Sequence, residues 1–352
     1  MESLETISEA NPFVSSSCRA DRRPLVDIIE PKRSVITTIE RNLQEVIFTS
    51  EPRIVPILGS AGSGKTSLYH TISDLVNEKA FMVYLSPQTS ETHADNLFTE
   101  LWFALMAQLG IKYLHEVVIN LKKLGSLEDI VTKFTGHFAV VAEMLFAFDD
   151  EKYQKTATYL FSGLKIENPI LPTQLTGGNS FYDPELCFAA LKMVLHFSQR
   201  PIIFFFDEIE SLFVSYGDQP ELRLFEKIKR IYNELNNTMI ILSSLPGVWE
   251  RIISLSTVSA VSRFETPTIL RRFTLEDLEE LVTEYLLIYW NERSLGGIKF
   301  PTSIWPFTDK ELADIHLNSD GNPREALKFL RNLWYDSNEK IQAYLVAHLG
   351  EN

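Results

Sequence analysis

The residues best suited to do chemistry in this sequence lie in the glycine-rich segment GSAGSGKTS, residues 59–67. The segment fits the pattern G-x-x-x-x-G-K-[ST], whose glycines let the backbone wrap a phosphate chain with its N–H groups directed inward. Lys65 would reach the β- and γ-phosphates, and the hydroxyl of Thr66 would bind Mg²⁺. A helix starting near Lys65 would add its positive dipole end. The alternative is a glycine-rich turn without a ligand, which the preceding apolar strand and following helical pattern disfavour.

A second reactive group follows the apolar run IIFFF, where Asp207 and Glu208 stand side by side. An acid at the end of an apolar strand beside a phosphate loop holds Mg²⁺, often through water. The next acid can orient and deprotonate an attacking water, because adjacent side chains on an extended strand end diverge. We therefore expect Asp207 to bind the metal and Glu208 to act on water, with Glu210 as a solvated or capping acid. The alternative is that acids simply mark the solvent end of a buried strand.

Short apolar runs alternating with helical patterns must position these groups. The runs are RIVPIL (53–58), AFMVYLS (80–86), PIIFFFD (201–207), TMIILSS (238–244) and, as a fifth, TPTILRRF (266–273). The alternation predicts an α/β fold with a mostly parallel sheet and helices on both faces. Pro56 lies within the first run, so we expect a missing ladder bond or a bulge there.

The length of 352 residues suits two domains, or one large domain with an insertion. We predict an N-terminal arm and helix over 1–52, an α/β core over 53–273 and a helical lid over 274–352. Helical spacing is evident in VITTIERNLQEVIF. The segment from about 110 to 200 is predicted to be a mainly helical insertion, since it contains HEVVINLKKL and HFAVVAEMLFAF before the turn-rich stretch ENPILPTQLTGGNS.

Composition excludes several classes of protein. Hydrophobic residues make up 45% and charged residues 23%, as in soluble globular proteins. No apolar run approaches the ~20 residues that span a bilayer, and the acidic, polar N-terminus predicts a cytoplasmic protein without a membrane partner. The net charge of −14 opposes nonspecific attraction to nucleic acid but leaves room for a local basic patch. Cys18 and Cys187 lack metal-ligand spacing and are expected to be free thiols.

Taken together, GSAGSGKT and FFFDEIE resemble the AAA+ class of P-loop ATPases, and within it the origin-recognition (Orc/Cdc6-like) and STAND-type ATPases. The resemblance covers roughly residues 30–335 outside the insertion. It implies a three-layer core with strand order 5-1-4-3-2, a small helical lid, and in-line hydrolysis of ATP with Mg²⁺. The implied nucleotide-binding residues are Gly59, Ser60, Ala61, Gly62, Ser63, Gly64, Lys65, Thr66 and Ser67, and the implied metal ligands are Thr66 and Asp207.

Three further segments match catalytic positions of that class. ILSS ends the fourth strand, where the family carries a polar sensor, which makes Ser243 and Ser244 candidates although many relatives have asparagine there. VSRFE matches the position of an arginine finger, with Arg263 as the candidate, and the alternative is a solvated or locally paired arginine. Arg271 and Arg272 compete for this role, although the apparent strand TILRRF should hold at least one of them.

The segment GNPREAL matches the second sensor, with Arg324 as the candidate. Asn322 is a good N-cap and Pro323 suits the first helical position. Arg324 then lies in the first turn, where the helix dipole disfavours a cation, so it needs a partner. A nucleotide phosphate would supply one, and Asp320 or Glu325 is the alternative.

The segment RPLVDIIEPKRS lies where such ATPases close over the adenine. Ile28, Ile29 and Pro31 would pack on the base, or would serve in plain packing.

Two functions remain open from the sequence. The first is a homo-oligomeric ATPase that couples nucleotide state to assembly on DNA or on a DNA-bound protein, with the finger supplied by a neighbouring subunit. The second is a STAND-like nucleotide-gated signalling or defence switch that acts through protein contacts. The acidic charge favours a protein partner. So does the short tail after RNLWYD, which is expected to leave no room for a DNA-binding winged-helix domain. The resemblance to origin-recognition ATPases favours DNA.

Overall fold

The computed structural model describes residues 10–14, 18–86, 96–110, 112–164, 181–210, 218–293, 295 and 297–349. The chain divides into two compact units. The first unit comprises residues 1–37, 59–72 and 269–352, and the second comprises residues 38–58 and 73–268. The division into 1–52, 53–273 and 274–352 stays a prediction.

A five-stranded parallel sheet runs in the order β2-β3-β4-β1-β5. Its strands are β1 (Arg53–Leu58), β2 (Phe81–Leu85), β3 (Ile202–Phe206), β4 (Thr238–Ser244) and β5 (Thr268–Ile269). The predicted order 5-1-4-3-2 is this order counted from the other edge and is confirmed, as is the α/β fold class. Every residue of β3 and β4 is buried. Such burial is expected of parallel strands covered on both faces, and it explains their unbroken apolar sequences.

The register of the sheet sets where each strand ends. Leu58 of β1 lies opposite Ser244 of β4, and Phe206 of β3 lies opposite Leu242 of β4. The carboxyl ends of β1, β4 and β3 therefore share one edge of the sheet. Pairing runs without interruption through Pro56, so no bulge forms, while its missing N–H removes one ladder donor.

The fifth strand is shorter than the sequence suggested. It contains only two residues, so neither Arg271 nor Arg272 lies in it, and the expectation that TILRRF holds one of them in a strand was wrong. A bridge from Ile54 to Phe264 and the bond from the Glu265 N–H to the Ile54 carbonyl, 2.8 Å, support this edge of the sheet instead.

The helices connect the strands and build the rest of the fold. A 3₁₀ turn covers Glu30–Lys32, and the α-helices are α1 (Arg33–Thr49), α2 (Lys65–Val76), α3 (Leu97–Leu109), α4 (Lys112–Lys122), α5 (Leu127–Lys133), α6 (His137–Phe148), α7 (Gln154–Phe161), α8 (Pro184–Phe197), α9 (Asp218–Glu234), α10 (Pro246–Leu255), α11 (Val258–Val261), α12 (Leu275–Glu292), α13 (Asp309–Ser319), α14 (Pro323–Asp336) and α15 (Asn338–Leu349). The three helical patterns singled out in the sequence correspond to α1, α4 and α6. The turn-rich stretch ENPILPTQLTGGNS lies outside the described residues. No helix in the described part of the chain has the length and apolarity to span a membrane.

Among the described residues, six helices, α3 to α8, lie between β2 and β3. The last five, α4 to α8, fall within the segment of about 110–200 that was predicted to be a mainly helical insertion. Their apolar side chains belong to the same continuous core as those of the sheet in the second unit. Trp102 of α3 is fully buried, and its indole N–H donates to the carbonyl of Phe161 at 2.9 Å. The indole nitrogen, the only polar atom of this buried side chain, therefore has a hydrogen-bond acceptor.

The first unit has a separate core in which the N-terminal arm takes part. Phe13 is completely buried, with its ring 5.4 Å from that of Tyr285 and 6.3 Å from that of Trp334. The side-chain amide of Asn11 donates to the carbonyl of Arg331 at 2.9 Å. The N-terminal arm therefore supplies part of the core of the helices α12 to α15.

A buried polar cluster ties the N-terminal residues to the start of α2. The ammonium of Lys32 donates to the carboxylate of Asp27, to Ser67 Oγ at 2.7 Å and to Thr71 Oγ1 at 3.0 Å. Ser67 Oγ also donates to Asp27 Oδ1 at 2.7 Å. Burial lowers the pKa of Lys32, and the neighbouring Asp27 carboxylate opposes that shift. The cluster fixes the first two turns of the helix that follows the glycine-rich loop.

Replacing Lys32 by methionine should destabilise the first unit. The change keeps most of the aliphatic stem but leaves Asp27 with only hydroxyl donors, and breaking such a pair should cost about 2–3 kcal/mol after allowance for the partial exposure of Asp27. Urea unfolding followed by tryptophan fluorescence measures the loss. Lys310→Met, at an exposed position of the same unit, is the control. Equal midpoints for Lys32→Met and Lys310→Met would contradict the prediction, and Asp27→Asn should restore part of the loss in the double variant.

Candidate functional site

The glycine-rich loop spans residues 59–64, between the end of β1 and the start of α2. Gly62 has φ 79° and Gly64 has φ 96°, both in the left-handed region that favours glycine. A Cβ on Gly64 would touch nothing within 4 Å, so only the backbone conformation requires glycine there. The N–H of Ser63 closes a turn onto the carbonyl of Ser60 at 3.1 Å. The loop thus contains a backbone turn and two glycines in the left-handed region.

Lys65 opens α2 with its side chain turned back into this loop. Its ammonium donates to the carbonyl of Gly59 at 2.9 Å and to that of Ser60 at 3.2 Å, and the residue is buried. Thr66 follows in the first turn and is half-buried. The predicted phosphate-binding lysine thus lies against the backbone of the loop it would serve.

The side chains of Ser63 and Ser67, two serines of the motif, differ in their hydrogen bonding. Ser63 Oγ is buried without a hydrogen-bond partner among the described residues, and a Cβ on Gly59 would come within 2.4 Å of it. The hydroxyl of Ser67 bonds to Asp27 and Lys32. Since that hydroxyl is occupied, the contribution of Ser67 to a phosphate site would come from its backbone N–H.

In the second unit, Asp207 follows β3 and is completely buried. Its Oδ1 accepts hydrogen bonds from Ser243 Oγ at 2.8 Å and from the Glu208 N–H at 3.1 Å, while Oδ2 accepts from the Tyr84 hydroxyl at 3.1 Å. These donors fix the orientation of a carboxylate that lies beyond an entirely apolar strand. The predicted metal ligand and one predicted sensor are thus brought together.

Glu208 departs from the extended conformation expected of it. The strand ends at Phe206, and Glu208 has φ 56°, an uncommon conformation for a residue other than glycine, asparagine or aspartate. Its side chain is exposed although that of Asp207 is buried. The two carboxylates therefore diverge through a left-handed turn rather than through the alternation of a strand.

The two sensor candidates differ in what they contact. Ser243 bonds to Asp207, whereas Ser244 Oγ donates to the carbonyl of Leu245 at 3.3 Å. Both are fully buried at the end of β4, where Ser244 lies opposite the last residue of β1. Of the two, Ser243 is the one joined to another predicted site residue.

Around Arg324, the first unit joins α14 to the glycine-rich loop. Asn322 is the N-cap, as predicted, and its Nδ2 donates to the carbonyl of Ala61 at 2.7 Å. A Cβ on Gly62 would approach Arg324 Cβ to 2.9 Å, so the stem of Arg324 packs on the loop backbone. The alternative acid partners are occupied elsewhere, Asp320 by Arg272 and Glu325 by Lys328, and the Arg324 guanidinium has no ion pair within the described ranges.

The candidate arginine fingers are all held by local contacts. Arg263 Nε donates to Asn233 Oδ1 at 3.0 Å, and its Nη1 donates to the hydroxyl of Ser259 at 2.8 Å. Arg271 forms two bonds to Asp277, of 2.6 and 3.1 Å, and Arg272 pairs with Asp320. Burial would raise the pKa of Asp277, but the hydrogen bonds from Arg271 and from Thr274 outweigh it and leave that pKa below its usual value.

The candidate adenine contacts divide between core and surface. Ile28 and Pro31 are buried, and Ile28 belongs to the core of the first unit, whereas Ile29 is exposed. Packing therefore accounts for Ile28 and Pro31, and of the three candidates Ile29 is the one with an exposed side chain.

Sequence reasoning missed the contacts of four residues in these arrangements. Tyr84 reaches Asp207, and its only signal was a position near the end of a strand. Asp27 and Lys32 look like ordinary surface charges in the sequence. The bond of Asn322 to Ala61 was missed because an N-cap pattern identifies what the side-chain oxygen does and leaves the amide nitrogen unassigned.

No family model matches the chain, and no curated protein matches it in sequence. Several solved structures are similar to it. The ORC2 protein of Aeropyrum pernix, solved as ADPNP–ADP complexes, has 12% identity and a TM-score of 0.48 over 93% of this chain and 71% of that one. The Walker-type ATPase PABY2304 of Pyrococcus abyssi has 16% identity and a TM-score of 0.45, over 94% and 77% of the two chains. PCH-2 of C. elegans has 14% identity and a TM-score of 0.39, over 90% and 69%. Likeness at this level identifies no activity.

Proposed function

We propose that this protein binds ATP with Mg²⁺ and hydrolyses it. The observation that carries the proposal is the loop 59–64, which enters from a buried parallel strand and leaves into α2 with Lys65 turned into it. Backbone N–H groups and the helix dipole would hold the phosphates, and the Lys65 ammonium would exchange carbonyl oxygens for phosphate oxygens. We propose adenine rather than guanine because the motifs resemble those of AAA+ ATPases and the sequence has no evident guanine-reading N-K-x-D motif.

A hydroxyl and a carboxylate are oxygen ligands of the kind that Mg²⁺ takes. Thr66 and Asp207 would hold Mg²⁺, which when bound neutralises charge on the phosphates. Magnesium is usually held by one or two carboxylates together with substrate phosphates, rather than by an all-protein cage. Among the residues that the structure describes, no group of three or more His, Cys, Asp or Glu side chains could hold a metal by itself.

Hydrolysis would depend on the exposed carboxylate of Glu208. Its neighbour Asp207 is held by three donors, which leaves Glu208 as the member of the pair able to orient and deprotonate a water. Ser243 would support this arrangement through its bond to Asp207, and Ser244 would be the second polar candidate of the strand end. Arg324 would contact the nucleotide from the lid, since its stem packs on Gly62.

We further propose that nucleotide state is coupled to assembly. In this proposal the protein is a cytoplasmic homo-oligomer in which Arg263 acts on a neighbour's γ-phosphate, with a DNA or DNA-bound protein partner. The motif resemblance supports this reading.

The contacts of Arg263 favour a second candidate, the STAND-like switch acting through protein contacts. Arg263 donates to Asn233 and Ser259 of its own chain, and its guanidinium lies 5.9 Å from the Tyr232 ring. Presentation to a neighbour would require these bonds to break. If Arg263 keeps its bonds to Asn233 and Ser259, each chain would hydrolyse nucleotide without a residue from a neighbour.

Lys65→Ala should abolish detectable nucleotide binding while leaving the fold intact. The ammonium bonds to loop carbonyls and belongs to neither apolar core, so its loss removes a phosphate contact rather than packing. Titration with a fluorescent ATP analogue in Mg²⁺ measures affinity, and far-UV circular dichroism monitors the fold. Lys310→Ala is the matched removal of an exposed lysine. ATP affinity in Lys65→Ala equal to that of Lys310→Ala would refute the assignment.

Glu208→Gln should bind Mg-ATP about as well as the unaltered protein but hydrolyse it far more slowly. Loss of a general base is worth roughly 10²–10⁴-fold in rate. Single-turnover phosphate release measures the step, with Glu210→Gln as control because Glu210 is two residues away on the same segment. Asp207→Asn should instead weaken the Mg²⁺ dependence of binding. Full turnover in Glu208→Gln, or its loss in Glu210→Gln, would move the role to another acid.

Mixing of inactive variants should separate the assembling ATPase from the monomeric switch. Arg263→Ala keeps an intact nucleotide site and Lys65→Ala keeps an intact finger, so an equimolar mixture should regain activity if the finger acts in trans, where it is worth about 10³–10⁵ in rate. Arg324→Ala mixed with Lys65→Ala should stay inactive. The assay is ATP turnover across protein concentration. Concentration-independent turnover per chain without recovery on mixing would show that Arg263 is no finger in trans.

A further inference from the structure

The side chain of Asn322 joins two elements of the first unit. Its Oδ1 accepts from the backbone N–H of Arg324 at 3.0 Å and from that of Glu325 at 3.4 Å, which caps α14. Its Nδ2 donates to the carbonyl of Ala61 at 2.7 Å. The two ends of one amide thus have different tasks, since only the oxygen can accept from the helix and only the nitrogen can donate to the loop.

The bond to Ala61 acts on one particular peptide group. Ala61 C=O and Gly62 N–H belong to the same planar trans unit, in which they point in opposite directions. A carbonyl held toward Asn322 therefore directs the Gly62 N–H away from α14. Gly62 needs such a restraint, because glycine has no side chain to limit rotation of the plane and here adopts φ 79°.

Steric contact supports the same coupling. A Cβ placed on Gly62 would lie 2.8 Å from Asn322 Oδ1 and 2.9 Å from Arg324 Cβ. Both distances are shorter than real Cβ contacts allow. The loop backbone and the first turn of α14 are therefore in direct contact, and the Ala61–Gly62 peptide cannot turn without disturbing Asn322.

We propose that Asn322 is a positioning residue that fixes the Ala61–Gly62 peptide and thereby links the conformation of the loop to the start of α14. The position of the Ala61–Gly62 peptide does not depend on whether a nucleotide binds. Its consequence for ligand affinity rests on the proposed function, because the Gly62 N–H is one of the donors that the loop would offer to a phosphate. Loss of the Asn322 amide should lower affinity for any nucleotide whose phosphates enter the loop, ADP as well as ATP.

Two substitutions separate the cap from the link to the loop. Aspartate and serine are as good at an N-cap as asparagine or nearly so, and thus should keep α14 and its stability. Neither can donate to the Ala61 carbonyl as the amide does, because aspartate presents a carboxylate oxygen to it and serine is too short. Asn318→Asp makes the same chemical change at an exposed position of α13 and controls for added charge.

The sequence allows the peptide to be observed directly. The dipeptide Ala-Gly occurs once in the chain, at residues 61 and 62. Labelling alanine with ¹³C at the carbonyl and glycine with ¹⁵N therefore gives a single carbonyl–amide correlation in a TROSY-HNCO spectrum. Without added nucleotide, this peak should move in Asn322→Asp and Asn322→Ser and keep its position in Asn318→Asp. Thermal melting should show similar stability for all three.

Affinity is the second measurement. Titration with Mg-ATP and with Mg-ADP should show a loss of about tenfold in Asn322→Asp and Asn322→Ser relative to Asn318→Asp, the effect of one misplaced buried hydrogen bond. An unmoved peak in both variants would overturn the positioning of the peptide. A moved peak with unchanged affinity would overturn its role in binding. If the unaltered protein binds no nucleotide, the proposed function fails, while the position of the peak still decides whether Asn322 holds the loop.

Discussion

The candidate site depends on the parallel pairing of β1 with β4 and of β4 with β3. Parallel strands must share an edge at their carboxyl ends, and here that edge carries the end of β1, the two serines of β4 and the acidic pair after β3. A change of register by one residue would withdraw Ser243 from Asp207 and leave a buried carboxylate short of a donor, which is costly. Burial of every residue in β3 and β4 makes such a change expensive for the apolar core as well.

Much of this arrangement could be predicted because it follows from local chemistry. Apolar runs bounded by polar segments identified the strands, and the order of the sheet followed from the resemblance carried by two motifs. The cap at Asn322 was predictable because an N-cap is defined by its neighbours in sequence. The left-handed conformations of Gly62 and Gly64 are local in the same sense, since glycine adopts positive φ at little steric cost.

The remainder depends on contacts between residues far apart in the chain, which local patterns do not encode. Lys32 and Asp27 resemble solvated charges in sequence, yet Lys32 is buried against α2. Phe13 lies in a short segment without helical or strand periodicity and is still part of the core of the first unit. The positive φ of Glu208 was missed for another reason: a strand pattern predicts extended backbone to its end, and the turn after it depends on Asp207 accepting the Glu208 N–H.

The three cations of the proposed site differ in the hydrogen bonds that each would have to break before it could contact a phosphate. Lys65 would replace its hydrogen bonds to two carbonyl oxygens with hydrogen bonds to phosphate oxygens. The number of bonds would change little, and the binding free energy would come from the attraction between the ammonium and the phosphate charge. Arg324 has its stem on Gly62 and its guanidinium unpaired among the described residues, so it would act with almost no rearrangement. Arg263 would have to leave Asn233 and Ser259 before it could serve a neighbour. A subunit interface that uses Arg263 must therefore offer hydrogen-bond acceptors that replace Asn233 and Ser259. Contact between subunits would then have to form before Arg263 could act as a finger.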